Sequence, residues 1–239
     1  MGPGTSRMND LVVVQTTQGL ASYIEAMGGK DAGVCIGYDH RANATRALNS
    51  ERFAKLAAAV LVSRGIRVKC FSQQVATPLV PYCVEQLGCS AGVMVTASHN
   101  PPADNGYKVY WSNGAQIIPP HDNGIAQHIE ESLEPWSQYD VDAVSAHPLF
   151  EDVTDAMIAG YFGDMEAKLC RHPTANAASH GTLPMVYSAM HGVGGRYTRE
   201  AFQRFGLPPY IPTQAQQEPD PDFPTVEFPN PEEGKGALA

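Results

Sequence analysis

The sequence has 239 residues, 43% hydrophobic and 17% charged, with 22 glycines and 19 prolines, a composition that suits one large or two small globular domains rich in turns. A formal net charge of −9 and the lack of any Lys/Arg block exclude the basic footprint of a nucleic-acid binder, yet leave room for a small phosphorylated ligand held by a few focused cations. No stretch has the length of a membrane span or the order of a signal peptide, and five cysteines without a CxxC pair read as reduced core thiols of a cytoplasmic protein with neither nucleic-acid nor membrane partners.

"MNDLVVVQTTQGLASYIEAMGG" predicts a helix capped at Asn9 or Asp10 and stopped by Gly28 and Gly29, with Leu20, Tyr23, Ile24 and Met27 on one face. "GVCIGYDH" (33–40) is a short continuous apolar run, which predicts a strand buried on both faces whose end carries Asp39 and Arg41 to a sheet edge. "NSERFAKLAAAVLVSRG" is the clearest helix, with Phe53, Leu56, Ala57, Val60 and Leu61 at helical spacing, Asn49 or Ser50 as cap and Gly65 as stop. Strands follow at 66–72 and 91–98, separated by a proline-started helix in "TPLVPYCVEQLG". "GYKVYWSNGAQII" predicts a hairpin, because Asn113-Gly114 between β-prone runs is a strong turn signal, and this antiparallel element makes the sheet mixed. The expected fold class is α/β, a three-layer α/β/α sandwich.

After a helix in "HDNGIAQHIEESLEPW", the polar stretch "SQYDVDAVSAHPLFEDVTD" reads as a linker between a domain at 1–145 and an incomplete second α/β domain at 146–239. The second part holds a helix near 152–170, a strand in "LPMVYSAM", a tight glycine connection "HGVGG" and a helix in "RYTREAFQRFG". The tail from 208 has eight prolines and one β-like run, so the strand at 183–190 is expected to lack later partners and the chain reads as part of a longer one. The acidic "EPDPD" and "PEEGK" read as solvated loops, and the eight histidines have no zinc-ligand spacing.

The chemistry gathers in "MVTASHNPPADNGYKVYWSNGAQI" (94–117). Ser98 lies at the exit of a buried strand, where α/β proteins place reactive groups. A lone serine there is most often a cap or turn residue. Its company shifts the balance: Thr96, His99, Asn100, Pro101, Asn105, Gly106 and Lys108 fall within thirteen positions. A serine hydroxyl needs a base, a lowered pKa or a metal to act as a nucleophile. His99 is adjacent and would point to the opposite face of an extended backbone, and the G-x-S-x-G elbow is missing, so acyl transfer fits poorly. Lys108, brought back by a turn at Asn105-Gly106, can contact a phosphate on the serine or move its proton. Phosphoryl transfer asks mainly for such positioning and charge neutralisation.

"TASHNP" followed by "NGYK" resembles the phosphoserine loop of the α-D-phosphohexomutase superfamily, and "GYDHR" (37–41) resembles its first-domain G-x-D-x-R segment. "NGYKVYWSNGAQIIPPHDNGI", "MHGVGG" and "DPDFPTVEFPNPEEGKGAL" resemble the branch that contains phosphopentomutase and phosphoglucomutase-2. The resemblance implies the first, phosphoserine-bearing domain of a phosphohexomutase plus part of a second similar domain. It implies an intramolecular phosphotransferase, a mutase moving a phosphoryl group between C1 and C5 or C6 of a pentose or hexose monophosphate. In that reading Ser98 carries the phosphoryl group, Lys108 is the acid/base, and His99, Asn100 and Arg41 bind substrate. Mg²⁺ would be held through the Ser98 phosphate, and a sugar bisphosphate such as glucose 1,6-bisphosphate would act as primer. For Arg41 a structural salt bridge is an equal alternative, since an arginine fork serves both. The family's D-x-D-x-D-R metal loop and G-T-A-G-L-R segment have no match in these residues, and "DPD" at 220–222 does not replace the loop. The alternative expectation is a catalytically incomplete product that folds or binds without turning over.

Overall fold

A computed structural model describes residues 1–179, 182–226 and 228–233. The Asn9 side chain accepts from the Val12 amide at 3.1 Å, which satisfies one of the orphan donors opening α1 (Asp10–Ala26), and Gly28 at φ 71° turns the chain away after its end. Leu20, Tyr23 and Ile24 are buried as expected, whereas Met27 sits past the last helical residue and is 55% exposed. β1 (Val34–Tyr38) is buried at every position because it is the central strand. A two-residue antiparallel ladder, β2 (Ala42–Asn43) against β3 (Leu48–Asn49), leads into α2 (Ser50–Ser63), capped by the Asn49 side chain accepting from the Arg52 amide at 2.7 Å. β4 (Val68–Cys70), α3 (Leu79–Gln86), β5 (Ala91–Val95), β6 (Tyr107–Trp111) and α4 (His121–Glu130) follow. The return arm of the expected hairpin is reduced to one bridge, Tyr110 to Gln116.

The sheet runs β6-β5-β1-β4-β7, with β7 at Phe150–Asp152; four strands are parallel and β6 is antiparallel at one edge, so the sheet is mixed. Side chains of β1 alternate between the faces. Val34, Ile36 and Tyr38 join Leu20, Ile24, Phe53 and Val60 in the core beneath α1 and α2. Gly37 faces α3, where an added Cβ would meet Val80 and Val75 at 2.6 and 2.8 Å, and Gly92 on β5 meets Val84 and Val80 at the same two distances. These two glycines let α3 lie close on the sheet. With α1 and α2 on one face and α3 on the other, the first unit is an α/β/α sandwich.

Two expectations are corrected. The stretch 137–155, expected as a linker, contains β7, which pairs in parallel with β4 and sets Asp152 opposite Cys70. Phe150, half-buried, and Val153, buried, anchor it within an otherwise polar sequence. The chain divides into Met1–Ser98 with Ala103–Thr154, and His99–Pro102 with Asp155–Ala239. The second correction concerns the strand expected to lack partners: β8 (Val186–Tyr187) pairs in parallel with β9 (Ile211–Pro212). Pro212 fits there because the donors to β8 are the flanking amides, Ile211 to Met185 O at 2.7 Å and Thr213 to Tyr187 O at 2.9 Å.

The second unit also holds α5 (Thr154–Leu169), α6 (Pro173–Ala178) and α7 (Gly194–Arg204); α6 has no counterpart in the sequence reading. Tyr210 organises its interior, with its ring 5.0 Å from Tyr187 and 5.3 Å from Phe202 and its hydroxyl donating to Gly195 O at 3.0 Å. In the "MHGVGG" turn the left-handed residues are Met190 and His191, at φ 47° and 60°, and not the glycines. The glycines serve close approach instead, since a Cβ on Gly195 would stand 2.7 Å from Gln217 O. Gly234 and Lys235 of "PEEGK", with Glu227 and the rest of that terminal segment, lie outside the described residues.

Among the described residues no helix is long and apolar enough to cross a membrane. Cys35, Cys70, Cys83 and Cys89 are buried free thiols and Cys170 is partly exposed. Burial pushes the Cys35 thiol up and the Cys70 thiol up to about 12, which suppresses their thiolates. A thiol-alkylating reagent at neutral pH should therefore label Cys170 first in the native chain, with the other four reacting only on unfolding. Peptide mass mapping reads this directly, and Cys70 labelling as fast as Cys170 would show that β4 is not packed as described.

Candidate active site

From β1 the chain crosses through α2 to β4 on one side, and from β4 through α3 back past β1 to β5 on the other. That reversal puts the carboxyl ends of β1 and β5 side by side and opens a crevice between them. Asp39 and Arg41 leave β1 there, at the end of the central strand and not at a sheet edge as expected, and Ser98 leaves β5. The Asp39 amide donates to Val95 O at 3.1 Å and ties the two exits together.

Ser98 has φ 53°, a left-handed value that costs a non-glycine residue about 1–3 kcal/mol and persists only where the surroundings over-determine it. Its amide donates to Thr96 Oγ1 at 3.0 Å and its carbonyl accepts from an Arg41 guanidinium nitrogen at 3.0 Å. The side-chain oxygen, exposed to solvent, accepts from Lys108 Nζ. Lys108 reaches it because β6 pairs antiparallel with β5 and sets Lys108 opposite Met94. Val109 is buried in the core under α1 and α2, so by alternation Lys108 projects from the other face. Gly106 closes the loop: its carbonyl accepts from the Thr96 amide at 3.0 Å, and a Cβ on Gly106 would stand only 2.6 Å from Thr96 O.

Behind the loop lies a buried polar circuit. Arg41 is 1% exposed; its Nε stands 3.3 Å from Asp39 Oδ2 and its two terminal nitrogens donate to Ser98 O and to Asp104 O, the latter at 3.2 Å. Ser50 Oγ donates to Asp39 Oδ1 at 2.6 Å and accepts from Asn105 Nδ2 at 2.9 Å. Burial pulls the Arg41 pKa down, opposed by the nearby Asp39 and Asp104 carboxylates. Of the two roles open to Arg41, the geometry displays the ion pair. Residues 2–135 of this chain match the phosphoglucomutase/phosphomannomutase α/β/α domain I family model, and residues 159–239 match that of domain II.

The chain belongs to the phosphoglucomutase/phosphomannomutase family.

Its similarity to curated members of this family runs along its whole length. It is 48% identical over 241 residues to a phosphopentomutase of Homo sapiens, 46% identical over 241 residues to a human glucose 1,6-bisphosphate synthase, and 40% identical over 250 residues to a phosphoribomutase of Saccharomyces cerevisiae. The alignment takes in 100% of this chain but 38 to 39% of those proteins. Solved structures share the fold at lower identity. A phosphoglucomutase/phosphomannomutase family protein from Burkholderia thailandensis superposes with a TM-score of 0.67 and 22% identity over 97% of this chain and 46% of its own. The Paramecium phosphoprotein pp63/parafusin does so with a TM-score of 0.70 and 17% identity over 94% and 44%.

In this phosphoglucomutase/phosphomannomutase domain I, the fold brings Ser98, Lys108 and Arg41 together, while His99 and Asn100 stand exposed on the loop. Among the described residues no three His, Cys, Asp or Glu side chains gather into a metal-holding group. A serine phosphate alone is one ligand for an ion that asks for six, so the described residues do not fit a complete Mg²⁺ site. Sequence reasoning missed Ser50 and Asn105 as members of the buried circuit. Ser50 carries only a cap signal and Asn105 only a turn signal, and no local pattern joins residues so far apart in the chain.

Proposed function

We propose that this chain carries the phosphoryl-bearing serine of a phosphosugar mutase, which moves a phosphoryl group between C1 and C5 or C6 of a pentose or hexose monophosphate. The observation that carries the reading is Lys108 Nζ donating to Ser98 Oγ on a loop strapped from behind by buried Arg41. A sugar bisphosphate such as glucose 1,6-bisphosphate primes the serine. The Ser98 Oγ–P bond forms as the P–O bond to the sugar breaks; the Lys108 ammonium gives a proton to the leaving sugar oxygen and takes the serine proton in its place. In the return direction Lys108 gives the proton back and the phosphoryl group leaves for the other end of a sugar monophosphate. His99 and Asn100 contact the sugar phosphate in this reading; Mg²⁺, toward which the described residues offer only the Ser98 phosphate, would supply charge neutralisation there. The relatives named phosphopentomutase and phosphoribomutase support a pentose phosphate as substrate, and the glucose 1,6-bisphosphate synthase supports the bisphosphate. The free thiols support a cytoplasmic address.

The absence of a three-carboxylate group among the described residues favours a second reading for these 239 residues taken alone, namely slow phosphoryl uptake at Ser98 without sustained turnover. Both readings meet one experiment: incubation of the chain with glucose 1,6-bisphosphate and Mg²⁺, followed by intact-mass and phosphopeptide analysis. The expected result is one phosphoryl group per chain on Ser98 and none on the Ser98→Ala variant. A native chain that takes up no phosphoryl group, or a label that survives in Ser98→Ala, overturns the mutase reading. Sustained interconversion of ribose 1-phosphate and ribose 5-phosphate removes the second.

A further inference from the structure

A separate cleft of about 320 Å³ opens at the carboxyl ends of β1, β4 and β7, beneath the first turns of α2. The sheet register brings its walls together: Ile36 pairs with Cys70 and Cys70 with Asp152, so Phe71 and Tyr38 stand one and two residues past the level of Asp152 on the two neighbouring strands. Glu51 and Lys55, joined by an ion pair of 2.7 Å, form the rim on α2, and Phe150 adds an apolar wall. Every lining residue belongs to the first unit.

Tyr38 is the unusual member. It is 4% exposed and lines the cleft, yet its hydroxyl has no hydrogen bond among the described residues. The hydroxyl is not among the buried side-chain atoms that lack a partner; it opens into the cleft, where it can donate to a ligand. Burial raises the Tyr38 pKa, helped by the Glu51 and Asp152 carboxylates, so the phenol keeps its proton and remains a donor. Across from it Asp152 is an acceptor. Burial pushes its carboxyl up, but hydrogen bonds from Thr154 outweigh that and hold it below its ordinary value, so it stays ionised.

Two carboxylates face one ammonium, which repels phosphate and other anions from this cleft. What remains is an alternation of donors, Tyr38 and Lys55, with acceptors, Glu51 and Asp152, between aromatic walls. Each hydroxyl of a polyol both donates and accepts, and a ring of them meets such an alternation without adding charge. The volume lies at the low end of the roughly 300–1,000 Å³ seen for ligand clefts, which suits one ring. We propose that this cleft is a binding site for a neutral cyclic polyol of monosaccharide size, distinct from the Ser98 loop and independent of its chemistry.

The test is a titration of the full ¹⁵N-labelled chain with myo-inositol, followed by amide chemical shifts, with ethylammonium and inorganic phosphate as charged probes. Saturable shifts at Tyr38, Glu51, Lys55, Ser72 and Asp152 are expected for inositol alone. Tyr38→Phe should weaken inositol binding about tenfold, the loss of one good hydrogen bond. It should also melt no lower than the native chain, because no internal partner is lost. Lys55→Met, on the exposed side of α2, should weaken it as well. The proposal is overturned if no saturable shift appears, if either charged probe takes the same amides in place of inositol, or if both variants bind as the native chain does.

Discussion

Replacing Arg41 by methionine will destabilise the first unit by about 3–5 kcal/mol, the cost of leaving one member of a buried ion pair uncompensated. Methionine fills much of the same space, so the loss is electrostatic: Asp39, 7% exposed, keeps its hydrogen bonds from Ser50 and from the backbone of residue 41 but loses the cation. The carbonyls of Ser98 and Asp104 lose their donors in the same step. Both tryptophans of the chain, Trp111 and Trp136, lie in the first unit, so the tryptophan fluorescence change in a urea titration reports that unit alone. A midpoint that barely moves would refute the account of the circuit. The double variant Asp39→Asn with Arg41→Met should recover part of the loss, because a neutral pair leaves no buried charge unpaired.

The second large effect belongs to Lys108. Lys108→Ala should slow phosphoryl uptake at Ser98 from glucose 1,6-bisphosphate about 10²- to 10⁴-fold, the range that one positioned acid/base supplies. Stability should change little, because the Lys108 ammonium meets Ser98 Oγ at an exposed site on an edge strand and is not part of the core. Lys108→Arg separates charge from proton transfer: it keeps the cation but cannot give up its proton. Uptake by the arginine variant at the native rate would reduce Lys108 to a point charge, and uptake by the alanine variant at that rate would remove it from the chemistry. The time course of intact mass after mixing reads all three proteins.

Much of the first unit was legible because its signals are local. Asn9 and Asn49 announce helix starts through their own side chains, and the uninterrupted burial of Val34–Tyr38 is written in a run without polar residues. Ser98 and Lys108 were legible for the same reason, being ten residues apart on one loop and strand. What escaped depends on partners distant in sequence. β7 is three residues long and polar at two of them, and only its pairing with β4 makes it a strand. β9 contains a proline and reads as a loop until β8 is placed beside it. The Asp39–Ser50–Asn105 chain joins a strand exit, a helix start and a turn, each of which carries a sufficient local explanation of its own.

The loop that holds Ser98 is fastened at both ends, to β1 through Asp39 and Arg41 and to β6 through the bond from the Thr96 amide to Gly106. It can open only if the buried arginine lets go or the edge strand peels from the sheet. Such an attachment is a peg and not a swinging arm. If a phosphoryl group is to visit both ends of a sugar from one serine, the protein will hold its carrier still, and the small molecule will be the part that turns around.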